Sequence, residues 1–375
     1  MNKEVPLQCE VLVIGGGPGG STVASLLAKK GIDVIVFEKE LFPRATVGES
    51  LIPHFWKYTD LIGASDKIKN AGFIPKRGGV VMWEEKLRKV SFKDFDYKRP
   101  GMHVERAEFD DILLKHSEEL GAAVFHQVRA TKIEHGIPWT TIHYQKKSSI
   151  AGKIQAKFIV DASGQGALLS KQENTRVFDD GFRFQAFWGY YEGGQYIDGD
   201  TTIRQFGQQR EHSPMTFVGN LGEWGWFWQI VLQKTISIGI VLPKKNVPKF
   251  KAGGESLAER FDNALIPIPV LGELMKDARL KPETVRSIKD YSYRPTQLTS
   301  GNCLLVGDAA AFVDPINSAG VVMAMYSGFV AAWTIQRILK KPHQNENLKS
   351  LFERQVNSRF DLFRLLAYPE HLVIY

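Results

Sequence analysis

Cysteine is nearly absent: Cys9 and Cys303 are the only two in 375 residues. Each sits at the edge of an apolar run, and neither belongs to a C-x-x-C pair or a zinc spacing. That excludes a disulfide framework, predicts no metal site and points to a reducing, cytoplasmic setting. No signal peptide is expected, because Met1 to Glu10 reads as polar. No apolar run reaches the roughly 20 residues of a membrane span. The longest, Ala319 to Ile335, has 17 and is punctuated by Gly and Ser, so it reads as a buried helix and no stable membrane span is expected. A basic stripe is missing too. Lys and Arg exceed Asp and Glu by 48 − 41 = 7, but they are scattered, so nucleic acid is not an expected partner. The excess suits a solvated surface and an anionic ligand or partner. Finally, there is no internal repeat and no Pro/Ser linker. The length suits two domains, and without a linker they must be interleaved.

What is present begins with a short buried-strand pattern, Glu10-Val-Leu-Val-Ile14, followed by Gly15-Gly-Gly17-Pro-Gly-Gly20. A helix over Ser21 to Lys30 and a second apolar strand, Asp33 to Phe37, complete a β–turn–α–β unit, with Gly31 closing the helix. Gly15-x-Gly17-x-x-Gly20 in this setting is a dinucleotide fingerprint. Gly15 permits the tight turn, Gly17 lets backbone approach a pyrophosphate, and Gly20 lets helix and strand pack closely. Glu38 lies 18 residues past Gly20, placed to accept from ribose hydroxyls and to repel a 2′-phosphate, which favours FAD or NAD over NADP. Further along, Gly72 to Trp83 and Val90 to Tyr97 are predicted strands, Glu105 to Leu120 a helix, and Gly320 to Leu339 and Leu348 to Leu366 long helices. Aromatics concentrate between Phe182 and Trp228, with 13 in 47 residues, including Phe184, Phe187, Trp188, Trp224, Trp226 and Trp228. Trp226 and Trp228 alternate with Phe227, so a strand places both on one face.

Two further segments select FAD. Phe158-Ile-Val-Asp161-Ala-Ser-Gly164 resembles the second strand-and-turn motif of flavoprotein monooxygenases. Cys303-Leu-Leu-Val-Gly307-Asp308 resembles their GD motif, and Arg106 in His103-Val-Glu-Arg106 resembles their cofactor-contacting arginine. The resemblance narrows to FAD-dependent halogenases through Val47-Gly-Glu-Ser50-Leu-Ile-Pro53, Phe73-Ile-Pro-Lys76, Phe312-Val-Asp-Pro315-Ile-Asn317-Ser-Ala319-Gly320, and Trp226-Phe-Trp228-Gln-Ile-Val231. It implies an α/β fold: a Rossmann-like FAD-binding domain of the monooxygenase type (1–77, 102–175 and 292–340), interleaved with a mixed β-sheet substrate domain (78–101 and 176–291), and a C-terminal helical segment (341–375). The family often continues with helices over the substrate site. An open pocket, a large or carrier-bound substrate, or a truncation would each account for an ending here.

By resemblance, reduced FAD and O₂ oxidise chloride or bromide to hypohalous acid, which reaches Lys76 beside an electron-rich ring. Lys76 is the implied catalytic residue, desolvated by its Phe-Ile-Pro neighbours, while Arg77 either depresses its pKa further or points to solvent. Cofactor contacts fall to Gly15, Gly17, Gly20, Glu38, Lys39, Arg44, Ser50, Arg106, Val128, Asp161, Gly164, Asp308, Pro315, Gly320 and Val321. The halide falls to the backbone of Ala319 and Gly320, and the substrate pocket to Phe184, Trp188, Trp226 and Trp228. Two departures stand out: Asn317 replaces the glutamate of tryptophan halogenases, and Val231 replaces a proline. The first points to a phenol or pyrrole, free or on an acyl carrier protein, rather than tryptophan. A separate flavin reductase is implied, because no second nucleotide fold is visible. An aromatic hydroxylase, a geranylgeranyl-reductase-like flavoprotein and a non-catalytic flavin-binding protein remain open at this stage.

Overall fold

The computed structural model describes residues 4–83, 86–147, 151–222 and 225–368. One sheet carries five parallel strands in the spatial order Cys303–Leu305, Ala151–Asp161, Gln8–Ile14, Val34–Glu38 and Ala123–His126. These strands read as unbroken Val/Ile/Leu runs because both faces of a parallel sheet are covered, and Val11, Leu12 and Val13 are fully buried. Helices Pro18–Ala28, Arg106–Glu119 and Gly320–Lys340 pack with this sheet. The first and last of these meet at Gly19 and Gly328, where a Cβ on Gly328 would lie 2.6 Å from the Gly19 carbonyl oxygen. On either side of Gln8–Ile14 the chain winds in opposite directions. The crevice beyond the ends of Gln8–Ile14 and Ala151–Asp161 is therefore the switch point where such sheets bind ligands.

The second sheet is mixed, in the order Arg279–Leu280, Phe184–Glu192, Ile236–Pro243, Trp226–Val231, Thr216–Asn220, Gly78–Trp83 and Lys86–Ser91, with Arg286–Lys289 also beside Phe184–Glu192. Side chains alternate across it. Phe187, Tyr191, Phe217, Phe227, Ile238 and Ile240 pack against helices Val247–Lys251, Leu257–Leu265 and Pro269–Met275. Their neighbours in sequence face the other way, into a cavity shared with the first sheet. A small antiparallel ribbon, Ser50–Leu51, Gly101–His103 and Ile74–Lys76, lies in the spatial order just given.

Three expectations need correction. The predicted strand Gly72 to Trp83 is two strands, Ile74–Lys76 and Gly78–Trp83, in different sheets, with exposed Arg77 at the corner. Gly78 makes the corner possible, since a Cβ there would lie 1.9 Å from the Val90 carbonyl oxygen. Val90 to Tyr97 does not stay extended. The strand Lys86–Ser91 ends at a capping box, in which Ser91 accepts from Lys93 N and Asp94 accepts from Ser91 N, and a 3₁₀ turn over Phe92–Phe95 follows. The first helix begins at Pro18 rather than Ser21, because proline at the first helical position needs no amide partner. Both cysteines are free and buried. Among the described residues no group of His, Cys, Asp and Glu could hold a metal ion, and no helix is long and apolar enough to cross a membrane.

Candidate active site

The crevice end of the cavity is built from backbone. Gly15 has φ +106°, and a Cβ on it would lie 2.4 Å from the Ala162 carbonyl oxygen. A Cβ on Gly20 would lie 1.9 Å from the Gly15 carbonyl oxygen, so helix and strand touch there as the fingerprint requires. Above Gly17 the space is open, and a Cβ would meet only an Arg44 Nη at 3.4 Å. Helix Pro18–Ala28 starts at that point, so its free N–H groups and positive dipole end face the opening, a natural pyrophosphate cradle. Glu38 lines the same space. Its carboxylate already accepts from Gly16 N and Glu40 N, each at 2.8 Å, and each oxygen keeps a lone pair for a ribose hydroxyl. Lys39, Arg44, Ser50, Arg106, Val128, Gly164, Asp308, Pro315, Gly320 and Val321 line this cavity too. Burial raises the Asp308 carboxyl pKa, opposed by Gln165 and Arg106.

Asp161 acts from behind the wall, and Arg106, at the wall, also braces the structure around it. Asp161 accepts from Ser163 N at 3.1 Å and Leu169 N at 2.8 Å, so its carboxylate shapes the turn at Gly164. Arg106 forms a two-point ion pair with Asp110 at 2.9 and 3.0 Å and donates to the Val47 carbonyl at 2.7 Å. It thereby fastens the loop that carries Glu49 and Ser50. The cavity is about 1540 Å³, above the roughly 300–1,000 Å³ of a single-ligand pocket. A dinucleotide and a planar substrate both fit.

The opposite wall is the second sheet. Trp188, Trp226, Trp228 and Ile230 line it, and the two indoles of Trp226 and Trp228 lie 5.6 Å apart. The Trp228 ring crosses Gly239, where a Cβ would meet it at 2.1 Å. Phe184 packs against Phe182 instead, with ring centroids 5.9 Å apart, and Trp224 lies outside the described residues. Tyr190 donates to Glu49 at 2.6 Å. Burial raises the Glu49 pKa, against the hydrogen bonds from Tyr190 and Gly48 N.

Lys76 sits in the small ribbon, 4% exposed. Its Nζ donates to Ser50 Oγ at 2.7 Å and Ser318 Oγ at 3.3 Å, and lies 5.5 Å from the centre of the Phe92 ring. Burial alone draws its pKa down to about 7. Arg77 takes no part, because its Nε donates outward to Ser213 at 2.6 Å. Ser50 and Ser318 line the cavity, so the amine stands just behind the wall. Ser318 follows Asn317, whose side-chain nitrogen is buried without a partner. Ala319 precedes the helix that Gly320 opens. The sequence reading missed Ser318 and Thr216 as partners in this cluster and treated His103 only as part of a motif. Their one signal was residue type, since each is a small or neutral hydrogen-bonding side chain beside an apolar run.

A dinucleotide crevice joined to an aromatic pocket defines the class of flavin-binding α/β oxidoreductases. The sequence model of the tryptophan halogenase family matches residues 10–100 and 92–371. A tryptophan 2-halogenase of Chondromyces crocatus is 33% identical over 369 residues, covering 97% of this chain and 68% of the relative. Flavin-dependent halogenase armH3 of Armillaria mellea is 32% identical, covering 97% and 74%. The myxobacterial chondrochloren halogenase CndH, an FAD-dependent halogenase, superposes with TM-score 0.84 at 31% identity over 96% of this chain and 82% of that one. The flavin-dependent brominase Bmp2 shares the fold, with TM-score 0.83 at 24% identity over 98% and 89%. This chain belongs to the tryptophan halogenase family. It is an FAD-dependent oxidoreductase of the flavin-dependent halogenases, with a halide co-substrate.

Proposed function

We propose that this enzyme halogenates an electron-rich aromatic, a phenol or pyrrole presented free or on an acyl carrier protein, through Lys76. The observation that carries the reading is a buried amine, poised near neutral pH, behind two serines that open onto the cavity. When bound, reduced FAD and O₂ supply the oxidising equivalents that convert halide to an electrophilic halogen. Lys76 then holds that halogen, by a hydrogen bond to hypohalous acid or as an N–halogen bond formed as the O–halogen bond breaks and water leaves, within reach of the substrate ring. Backbone N–H groups at Ala319 and Gly320, at a helix start, suit the halide. Trp188, Trp226 and Trp228 suit stacking against a flat ring, and their bulk keeps that ring from reacting directly at the flavin. Asn317 cannot act as a carboxylate base, which favours a ring already activated by its own oxygen or nitrogen. Basic surface charge suits an acidic carrier protein, and a separate reductase delivers the reduced flavin. We assign 1–77, 102–175 and 292–340 to cofactor binding, 78–101 and 176–291 to substrate binding, and 341–375 to a C-terminal helical segment.

The test is an assay with a flavin reductase, NADH and halide over phenols, pyrroles and tryptophan, wild type against Lys76→Ala. The reading expects halide-dependent gain of one halogen on a phenol or pyrrole and none in the variant. Halide-independent gain of oxygen would make the enzyme a hydroxylase. Turnover without O₂ would assign it to double-bond reduction. Full activity in Lys76→Ala would remove the role given to that residue.

A further inference from the structure

Lys76 does not end at Ser50. Ser50 Oγ lies 2.9 Å from Thr216 Oγ1, which lies 2.8 Å from His103 Nε2, and His103 Nδ1 lies 3.1 Å from the Val231 carbonyl oxygen. Lys76, Ser50, Thr216 and His103 are each at most 6% exposed, so water does not compete for these bonds. Ribbon register brings three of them together. Ser50 and Ile74 both pair with His103, and Lys76, two residues on from Ile74 and paired with Gly101, falls on the same ribbon face. Thr216, from the second sheet, closes the chain.

The direction of every bond follows from the groups present. Val231 offers only a carbonyl, so His103 carries its proton on Nδ1 and accepts at Nε2. A neutral imidazole agrees with its burial and with the nearby Lys76 charge, which together draw its pKa down to about 3. Thr216 therefore gives its proton to His103, and Ser50 gives its proton to Thr216. Ser50 is left with lone pairs facing Lys76 and Ser318, the latter 3.0 Å away. Hydrogen bonds aligned head to tail strengthen one another in a low-dielectric site.

We propose that His103 is a positioning residue for Lys76, the terminal acceptor of a one-way hydrogen-bond chain through Thr216 and Ser50 that holds the buried amine as a donor at the cavity wall. The proposal rests on Lys76 being the working amine. Cut at Thr216, the chain frees Ser50 to turn its proton toward the nitrogen, which favours the neutral amine. The other charged groups on the packed elements have partners of their own. Glu49 accepts from Tyr190, Arg77 bonds Ser213, Glu105 accepts from Gln233 N, Arg106 pairs with Asp110, and Asp314 accepts from Tyr291 and Ile316 N. Among the described residues, no carboxylate forms an ion pair with Lys76 or His103.

The test is competitive acetylation of Lys76 against pH, read by peptide mass spectrometry on the FAD-loaded protein. Thr216→Val keeps the side-chain size and removes the hydroxyl. Its labelling midpoint is expected to fall by about one pH unit, a tenfold shift in the amine equilibrium. Thr216→Ser is expected to restore the wild-type midpoint. In turnover, kcat of Thr216→Val is expected to fall about tenfold with KM unchanged, the pattern of a group that acts after binding. If Thr216→Val does not fold, His103→Met removes the acceptor from the other end and is read in the same way. An unchanged midpoint in the folded variant overturns the proposal. Labelling is read whether or not halogen is transferred, so failure of the halogenase reading is separately visible.

Discussion

The two ends of the cavity are made of different materials. At Gly15 and Gly17 the wall is main chain: Gly15 packs the turn against Ala162, and Gly17 leaves the space above it open for a large anionic ligand to approach the helix N–H groups. At Lys76 the wall is a cluster of side chains, buried and cross-linked by hydrogen bonds. Main chain binds by shape and dipole, and it changes little with pH. The lysine cluster binds nothing large, but burial brings its amine into the range where a proton is easily held or released. On the proposed reading, one end would hold the cofactor and the other would tune the reactive group.

Substitutions separate the two ends. Lys76→Met is expected to lower halogenation about a thousandfold or more while leaving FAD affinity within a factor of two, checked by steady-state turnover and flavin fluorescence. Arg106→Met removes the partner of Asp110, which is fully buried, and is expected to cost about 3 kcal/mol in urea unfolding. Arg44, 3.4 Å from the same carboxylate, holds the loss at that lower end. This variant couples the ends, since the loop from Val47 to Ser50 runs from one to the other.

A pH series is the next largest effect. The folded pKa of Lys76, about 7, is below its unfolded value of about 10.4. Between these values the unfolded chain binds more protons, so this group makes stability rise as pH increases from about 7 to about 10.4. Lys76→Met is expected to lose that rise, worth a few kcal/mol at most. An equal rise in urea midpoint for both proteins would place the titration elsewhere. Gly15→Ala is the smallest. At φ +106° the side chain adds roughly 1–3 kcal/mol of strain, and FAD affinity is expected to fall about tenfold or more. The pH at which Lys76 is half acetylated is expected to stay where it was. Movement of that midpoint would show that the two ends are not independent.

The same contrast governs what was legible in the sequence. The glycine fingerprint could be read because each glycine answers a local need, a turn, an approach or a close contact, within 30 residues. The face shared by Trp226 and Trp228 was legible from strand period alone. Lys76 was reachable only through family resemblance, and its setting not at all. Ser50, Lys76, His103 and Thr216 come from four separate segments, and no local pattern announces that a ribbon and a sheet will bring them together. The break at Arg77 was missed for a similar reason, because Ile74–Lys76 and Gly78–Trp83 look like one strand until their different partners are seen. Phe184 shows the limit of composition. It belongs to the aromatic cluster but packs on Phe182 rather than in the cavity.

The central claim is that burial alone gives Lys76 an amine that titrates near neutrality. Competitive acetylation of the FAD-loaded wild type, followed peptide by peptide across pH, measures this directly. The account predicts half-reaction of Lys76 near pH 7. A midpoint near that of an ordinary lysine, about 10.4, would contradict it.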